Sequence, residues 1–309
     1  MNNCNIVFTV VLFVDVYMKK IIKFIIINIV LLLIIFLLID FLIQFSLRSD
    51  VPDDFTHRYL LIKYNNSVEH YEERARKPVG LEYTDKKPIM IYGCSFAYGY
   101  NIKNNRHPGI ILSELTKRPV YNWGISGKGL QEALFIIRNQ KQITPPPEFV
   151  IYIYSSDQFR RLFVVNHILS GEIFLKYKNE NNKIIFENNK TDFITNTYLY
   201  RVLRNKYILL YFLKQKKTLK ILKLFIKEID KEIHEKYPDS KFLFIVYDFI
   251  QLDKEELKSM ENSKFEVIYL SDLFGDLLEK PEYKIPNDDH PNEKAWNLIW
   301  PKLIEMEKM

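Results

Sequence analysis

The chain has 309 residues, 48% hydrophobic and 27% charged, with a net charge of +6. That balance suits a globular chain with a core of its own and excludes a disordered one. The Lys excess is spread along the chain without a clustered basic stripe, so no nucleic-acid partner is expected. Two cysteines, Cys4 and Cys94, without a CxxC or Cys/His cluster, exclude a zinc site and a disulfide framework; no metal and no cofactor is called for.

Residues 21–45 read IIKFIIINIVLLLIIFLLIDFLIQF. A helix needs roughly 20 mostly apolar residues to cross a bilayer, so one transmembrane helix is expected here. Lys19, Lys20 and Lys23 open the run and only Arg48 follows closely. The positive-inside rule then leaves residues 1–20 in the cytoplasm and exports the bulk of the chain. Asp40 lies near the far end of the span, within reach of the headgroups. A cleaved signal peptide fits less well: the run is long for an h-region and no A-x-A-like site follows. Met18-Lys19-Lys20 reads as a natural export start, so residues 1–17 are expected to be a gene-start artefact.

Residues 46–87 are polar, contain Pro52, Pro78 and Gly80, and read as a stalk and wrap-around lead-in. A strand–helix rhythm then fills residues 88–309. Strands are expected over Lys87–Tyr92, Pro119–Trp123, Phe149–Tyr154, Lys241–Tyr247 and Phe265–Leu270. Helical spacing marks His107–Thr116, Leu130–Gln140, Lys206–Glu235 and Asn292–Glu307. Between Leu169 and Asn189, EIFLKYK and KIIFE flank NENN and suggest an inserted β-hairpin. Short apolar strands alternating with helices imply α/β architecture: a three-layer α/β/α sandwich around a parallel sheet of about five strands.

Ligands of such sheets bind beyond the carboxyl ends of the strands. There stand Gly93-Cys94-Ser95-Phe96-Ala97-Tyr98-Gly99, then Asn122-Trp123-Gly124-Ile125-Ser126-Gly127, then Ser155-Ser156-Asp157 with Arg160 and Arg161, and finally Asn287-Asp288-Asp289-His290-Pro291-Asn292. A Ser hydroxyl is a poor nucleophile until a base takes its proton, and His is the side chain that titrates near neutrality. A carboxylate on the other ring nitrogen fixes the tautomer. Ser95, His290 and Asp288 fit those three roles, with Asp289 the alternative orienter. Blander readings remain for each: Ser95 and Asp288 as helix caps, Cys94 as the nucleophile, Arg160 and Arg161 as solvated surface groups.

GCSFAYG resembles the GDS block of the SGNH (GDSL-like) hydrolases, NWGISGKG their second block and DDHPN their fifth. The resemblance spans residues 88 to about 300 and implies a flavodoxin-like sheet and ester or acyl-transfer chemistry. It assigns the nucleophile to Ser95, the base to His290, its partner to Asp288, and oxyanion donors to the amides of Ser95 and Gly124. Two departures stand out. Cys94 replaces the Asp of GDS, and YSSDQFRR lacks the Asn of the family's GxND block. Ser156 is a further candidate for the vacant oxyanion position, and Asp157 and Arg160 for substrate binding. Position 287, where the family often carries its Asp, is Asn. With the expected export, the substrate would be an acyl ester such as an acylated cell-envelope glycan. The alternative is a catalytically decayed protein of this fold that binds or helps assemble an envelope polysaccharide.

Overall fold

The computed structural model describes residues 22–36, 38, 71, 73–155, 158, 161–162, 177–181, 183–186, 216–247 and 254–309. The chain divides into two compact units, Met1–Ile62 with Thr191–Leu203, and Lys63–Lys190 with Arg204–Met309.

In the first unit, residues 22–36 form a helix. Its apolar side chains are solvent-facing, Phe24 at 69% and Leu32 at 65% exposure. At ~1.5 Å rise per residue this stretch is roughly 22 Å long, short of the ~30 Å of a bilayer's hydrocarbon core. Among the described residues no helix is long and apolar enough to cross a membrane. Residues 21, 37 and 39–45 of the expected span lie outside the described residues.

The second unit holds the α/β domain. Its strands are β1 Ile89–Gly93, β2 Val120–Gly124, β3 Phe149–Ser155, β4 Tyr177–Glu180, β5 Lys183–Phe186, β6 Lys241–Tyr247 and β7 Phe265–Tyr269. The helices are α1 Ser95–Tyr98, α2 Pro108–Thr116, α3 Leu130–Asn139, α4 Lys216–Lys236, α5 Lys254–Lys258, α6 Leu270–Phe274 and α7 Glu293–Glu307. Five strands pair in the order β2-β1-β3-β6-β7, every neighbour parallel. Leaving out the antiparallel β4–β5 hairpin, this is the flavodoxin order, whose ligand crevice opens where β1 and β3 lead to opposite sides.

Apolar runs such as IMIYG and KFLFIVY are buried on both faces, as a doubly covered sheet requires. On one face Tyr92, Tyr152, Phe244 and Val267 pack with Leu134 of α3 and Phe225 of α4. On the other, Ile91, Ile151 and Ile245 pack with Leu112 of α2 and Trp296 and Trp300 of α7. The three layers expected from the sequence are therefore present. The lead-in also adds to the sheet: Val79 bridges Val120 in antiparallel sense, covering part of the β2 edge.

Candidate active site

β1 ends in Gly93, and the chain turns at once into α1. Gly93 has a φ of 146°, and a β-carbon there would stand 2.6 Å from the Ile153 carbonyl oxygen. Only glycine fits a turn so close to the neighbouring strand. Cys94 is fully buried, with Sγ 3.5 Å from Ser155 Oγ, so its thiol faces the core. Ser95 is the first residue of α1. Its N–H therefore has no intrahelical acceptor.

α1 has four residues and cannot stabilise itself as an isolated helix. It rests on β2. A β-carbon at Gly124 would meet Tyr98 N at 2.5 Å and Ala97 Cβ at 2.7 Å. Asn122, buried at the end of β2, donates from Nδ2 to Ala97 O at 2.8 Å and accepts from Gly124 N–H through Oδ1 at 2.9 Å. Gly124 is thus a close-approach residue whose amide is already engaged. The oxyanion role expected of it would share this amide with Asn122 Oδ1. The contact is an Asx-type turn, in which an Asn oxygen takes the amide two residues on.

The loop before α7 carries the other two groups. Asp288 N–H donates to Ile285 O at 2.9 Å, and Ile285 N–H to His290 O at 2.9 Å. Asn287 makes this turn with a φ of 61°. Asn292 pins the loop: Nδ2 donates to Glu282 O and Lys284 O, each at 2.9 Å, and Oδ1 caps α7 at Ala295 N.

In this setting His290 Nε2 lies 2.6 Å from Ser95 Oγ, while Nδ1 hydrogen-bonds Asp288 Oδ1. His290 N–H also donates to Asp288 Oδ1, at 3.1 Å. Burial pushes the Asp288 carboxyl up; hydrogen bonds from the His290 ring and amide, the His290 charge and the Asp289 amide outweigh it and hold the group below its usual range. An ionised Asp288 favours the tautomer with the proton on Nδ1, leaving the Nε2 lone pair to accept the Ser95 hydroxyl. Asp289 faces away: its side chain is 87% exposed and lies 3.5 Å from Lys284 Nζ. Phe96 and Tyr100 flank the imidazole, with ring centroids 5.0 and 5.2 Å away.

Of the sequence-predicted residues, Ser95, His290 and Asp288 are brought together. Ser156, Asp157 and Arg160 lie outside the described residues. Arg161, read as a solvated surface group, is instead buried and donates from Nη1 to Lys128 O at 2.6 Å. Asn122 and Asn292 were not foreseen as site residues. Asn122 had a signal, an Asn-x-Gly at the end of a strand; Asn292 had one as an Asn at the start of the expected last helix, a position that favours capping.

Fold and site together define a flavodoxin-ordered α/β protein with a Ser–His–Asp array at the carboxyl edge of its sheet. No family model matches the chain, and no curated protein does. Similar solved structures include a member of the lipolytic G-D-S-L family from Veillonella parvula, at 16% identity and a TM-score of 0.42, covering 71% of this chain and 97% of that one. An acetyl xylan esterase from Butyrivibrio proteoclasticus is similar at 9% identity and a TM-score of 0.40, over 72% of this chain and 63% of that one. A carbohydrate esterase family 2 enzyme with a carbohydrate-binding domain, from Corynascus thermopiles, is similar at 11% identity and a TM-score of 0.39, over 72% and 67%.

Proposed function

We propose that the protein is a serine esterase or O-acyl transferase, with Ser95 as nucleophile, His290 as general base and Asp288 as its orienting partner. The observation that carries this reading is the continuous hydrogen-bonded path from Ser95 Oγ through His290 to Asp288. Ser95 Oγ attacks the acyl carbon while its proton passes to His290 Nε2. The ester C–O bond then breaks, and the same proton goes to the departing alcohol. Water or a sugar hydroxyl, deprotonated by His290, attacks the acyl carbon; the Oγ–acyl bond breaks, the acyl group leaves as the acid or the new ester, and His290 returns the proton to Ser95 Oγ. The Ser95 amide, at the start of α1, is one oxyanion donor in this reading.

The substrate we propose is an O-acylated glycan of the cell envelope, reached by a domain tethered outside the cytoplasm. The exposed apolar helix over residues 22–36, preceded by Lys19 and Lys20, supports the tether. One observation favours the alternative, a glycan-binding protein with a decayed site: the Gly124 amide is already taken by Asn122. Fluorophosphonate labelling and hydrolysis of a short acyl ester, wild type against Ser95→Ala, separate the two. The enzyme reading expects both signals from wild type alone. Equal rates from the two proteins would overturn it.

A further inference from the structure

The turn that carries Ser95 is held from outside itself. Among its carbonyls, Cys94 O accepts Tyr98 N–H at 2.9 Å, Ser95 O accepts Tyr100 N–H at 3.0 Å and Phe96 O accepts Gly99 N–H at 3.2 Å. The carbonyls that follow turn to side chains from distant parts of the chain. Ala97 O takes Asn122 Nδ2. Tyr98 O takes Arg76 Nε at 3.0 Å, and Gly99 O takes Arg76 Nη2 at 3.1 Å beside the local Ile102 N–H at 3.2 Å. The remaining edge of the same guanidinium donates from Nη1 to Asn104 Oδ1 at 2.6 Å, and its Cζ lies 3.9 Å from the Tyr98 ring centroid. The two brackets are joined, since Arg76 N–H donates to Asn122 O at 3.2 Å.

Arg76 belongs to the lead-in, ahead of β1 in the sequence. Its fork spans two successive carbonyls and stacks on the ring between them, a geometry that a Lys ammonium cannot reproduce. The contacts fall at the exit of α1, while Ser95 occupies its entry, so any tilt of so short a helix is felt at Ser95 Oγ.

We propose that Arg76 is a positioning residue for Ser95, through which the lead-in sets the attack geometry of the nucleophile. This inference rests on the esterase reading above. Displacing a nucleophile by about 1 Å costs on the order of 100-fold in rate.

The test uses the full chain and three variants: Arg76→Ala, Arg76→Lys and Lys86→Met. Lys86 also lies in the lead-in but bonds Thr116 O at 2.9 Å, away from α1. Expected for Arg76→Ala is a fall of about 10- to 100-fold in both kcat and the rate of fluorophosphonate labelling, with KM unchanged. Arg76→Lys should fall between Arg76→Ala and wild type. Added methylguanidinium should restore labelling of Arg76→Ala and leave wild type unaffected. Lys86→Met should lower the melting temperature without changing the labelling rate. The proposal is overturned if folded Arg76→Ala labels at the wild-type rate, or if Lys86→Met loses labelling as fully as Arg76→Ala. If Arg76→Ala does not fold, a folded Arg76→Lys that labels at the wild-type rate overturns it equally. Failure of the esterase reading looks different: wild type and Ser95→Ala are then indistinguishable before any Arg76 variant is made.

Discussion

Replacing Gly124 by Ala should disable Ser95 without touching it. The added methyl would stand 2.5 Å from Tyr98 N, 2.7 Å from Ala97 C and 2.7 Å from Ala97 Cβ. Carbon contacts are comfortable at about 3.5–4.0 Å, so α1 and the end of β2 must part by roughly 1 Å. Two of the three opposing atoms are backbone and cannot rotate away. Overpacking of this kind costs about 1–3 kcal/mol of stability. The larger effect falls on chemistry, because a displacement of about 1 Å at a nucleophile costs on the order of 100-fold, or ~2.7 kcal/mol of barrier. The assay pairs the fluorophosphonate labelling rate with a urea melt at one pH. Labelling should fall about 100-fold while the protein still folds. Adding Ala97→Gly removes one of the three contacts and should recover part of the labelling, despite costing about 1 kcal/mol in helix propensity. If Gly124→Ala labels at the wild-type rate and melts within about 0.5 kcal/mol of wild type, the close approach does not set the nucleophile's position.

Asp288→Asn should lower turnover by about 10,000-fold by holding the wrong imidazole tautomer, whereas Asp289→Asn, on an 87% exposed side chain, should leave turnover near wild type; equal losses would place the orienting carboxylate elsewhere. His107 is buried and caps α2 by accepting Gly109 N–H at Nδ1. Burial first, and the Arg76 charge second, bring its pKa from 6.5 down to about 4. The unfolded chain therefore binds this proton before the folded one as pH falls. Stability is full above the unfolded value and declines through the window between the two values, by roughly 3 kcal/mol at about 1.36 kcal/mol per unit. His107→Asn keeps a capping oxygen and should flatten that decline in urea midpoints read at neutral and at acid pH; parallel curves for variant and wild type would refute the assignment.

Much of this architecture was legible because its strands are apolar runs bounded by Gly or Pro. The five sheet strands lie within about two residues of their expected limits, a normal disagreement at element ends. The hairpin was visible in two strand-like runs about a polar turn, though β4 takes in Asn179 and Glu180 of the expected turn and residues 172–176 lie outside the described ones. The long helix is described as Lys216–Lys236; the expected residues 206–215 lie outside the described ones. α1, α5 and α6 were not legible, since elements of four or five residues carry no measurable period. In the site, the sequence could not choose between Asp288 and Asp289. The choice follows from Asn287, whose left-handed backbone turns Asp288 back onto His290. The donor role of Gly124 is what the resemblance of NWGISGKG to the second SGNH block implies. Composition alone does not show that this amide also meets the neighbour two residues back, where Asn122 supplies an acceptor.

Ser95 and His290 are 195 residues apart in sequence and meet through two supports of different stiffness. His290 stands just before α7, a 15-residue helix seated in the core through Trp296 and Trp300 and tied to α2 by Trp300 Nε1 donating to Pro108 O at 3.0 Å. Its loop is further bound by Asn292. Ser95 stands on four helical residues that depend on Asn122, Gly124 and Arg76. Phe96 and Tyr100, which flank the imidazole, belong to that same short segment. A movement of α1 therefore shifts the hydroxyl and two aromatic neighbours of the base together, while the base itself stays with α7. The weaker support is the one that carries the nucleophile. Lesions that disable this site without unfolding the protein should therefore concentrate in β2 and the lead-in, while lesions in α7 should first appear as lost stability.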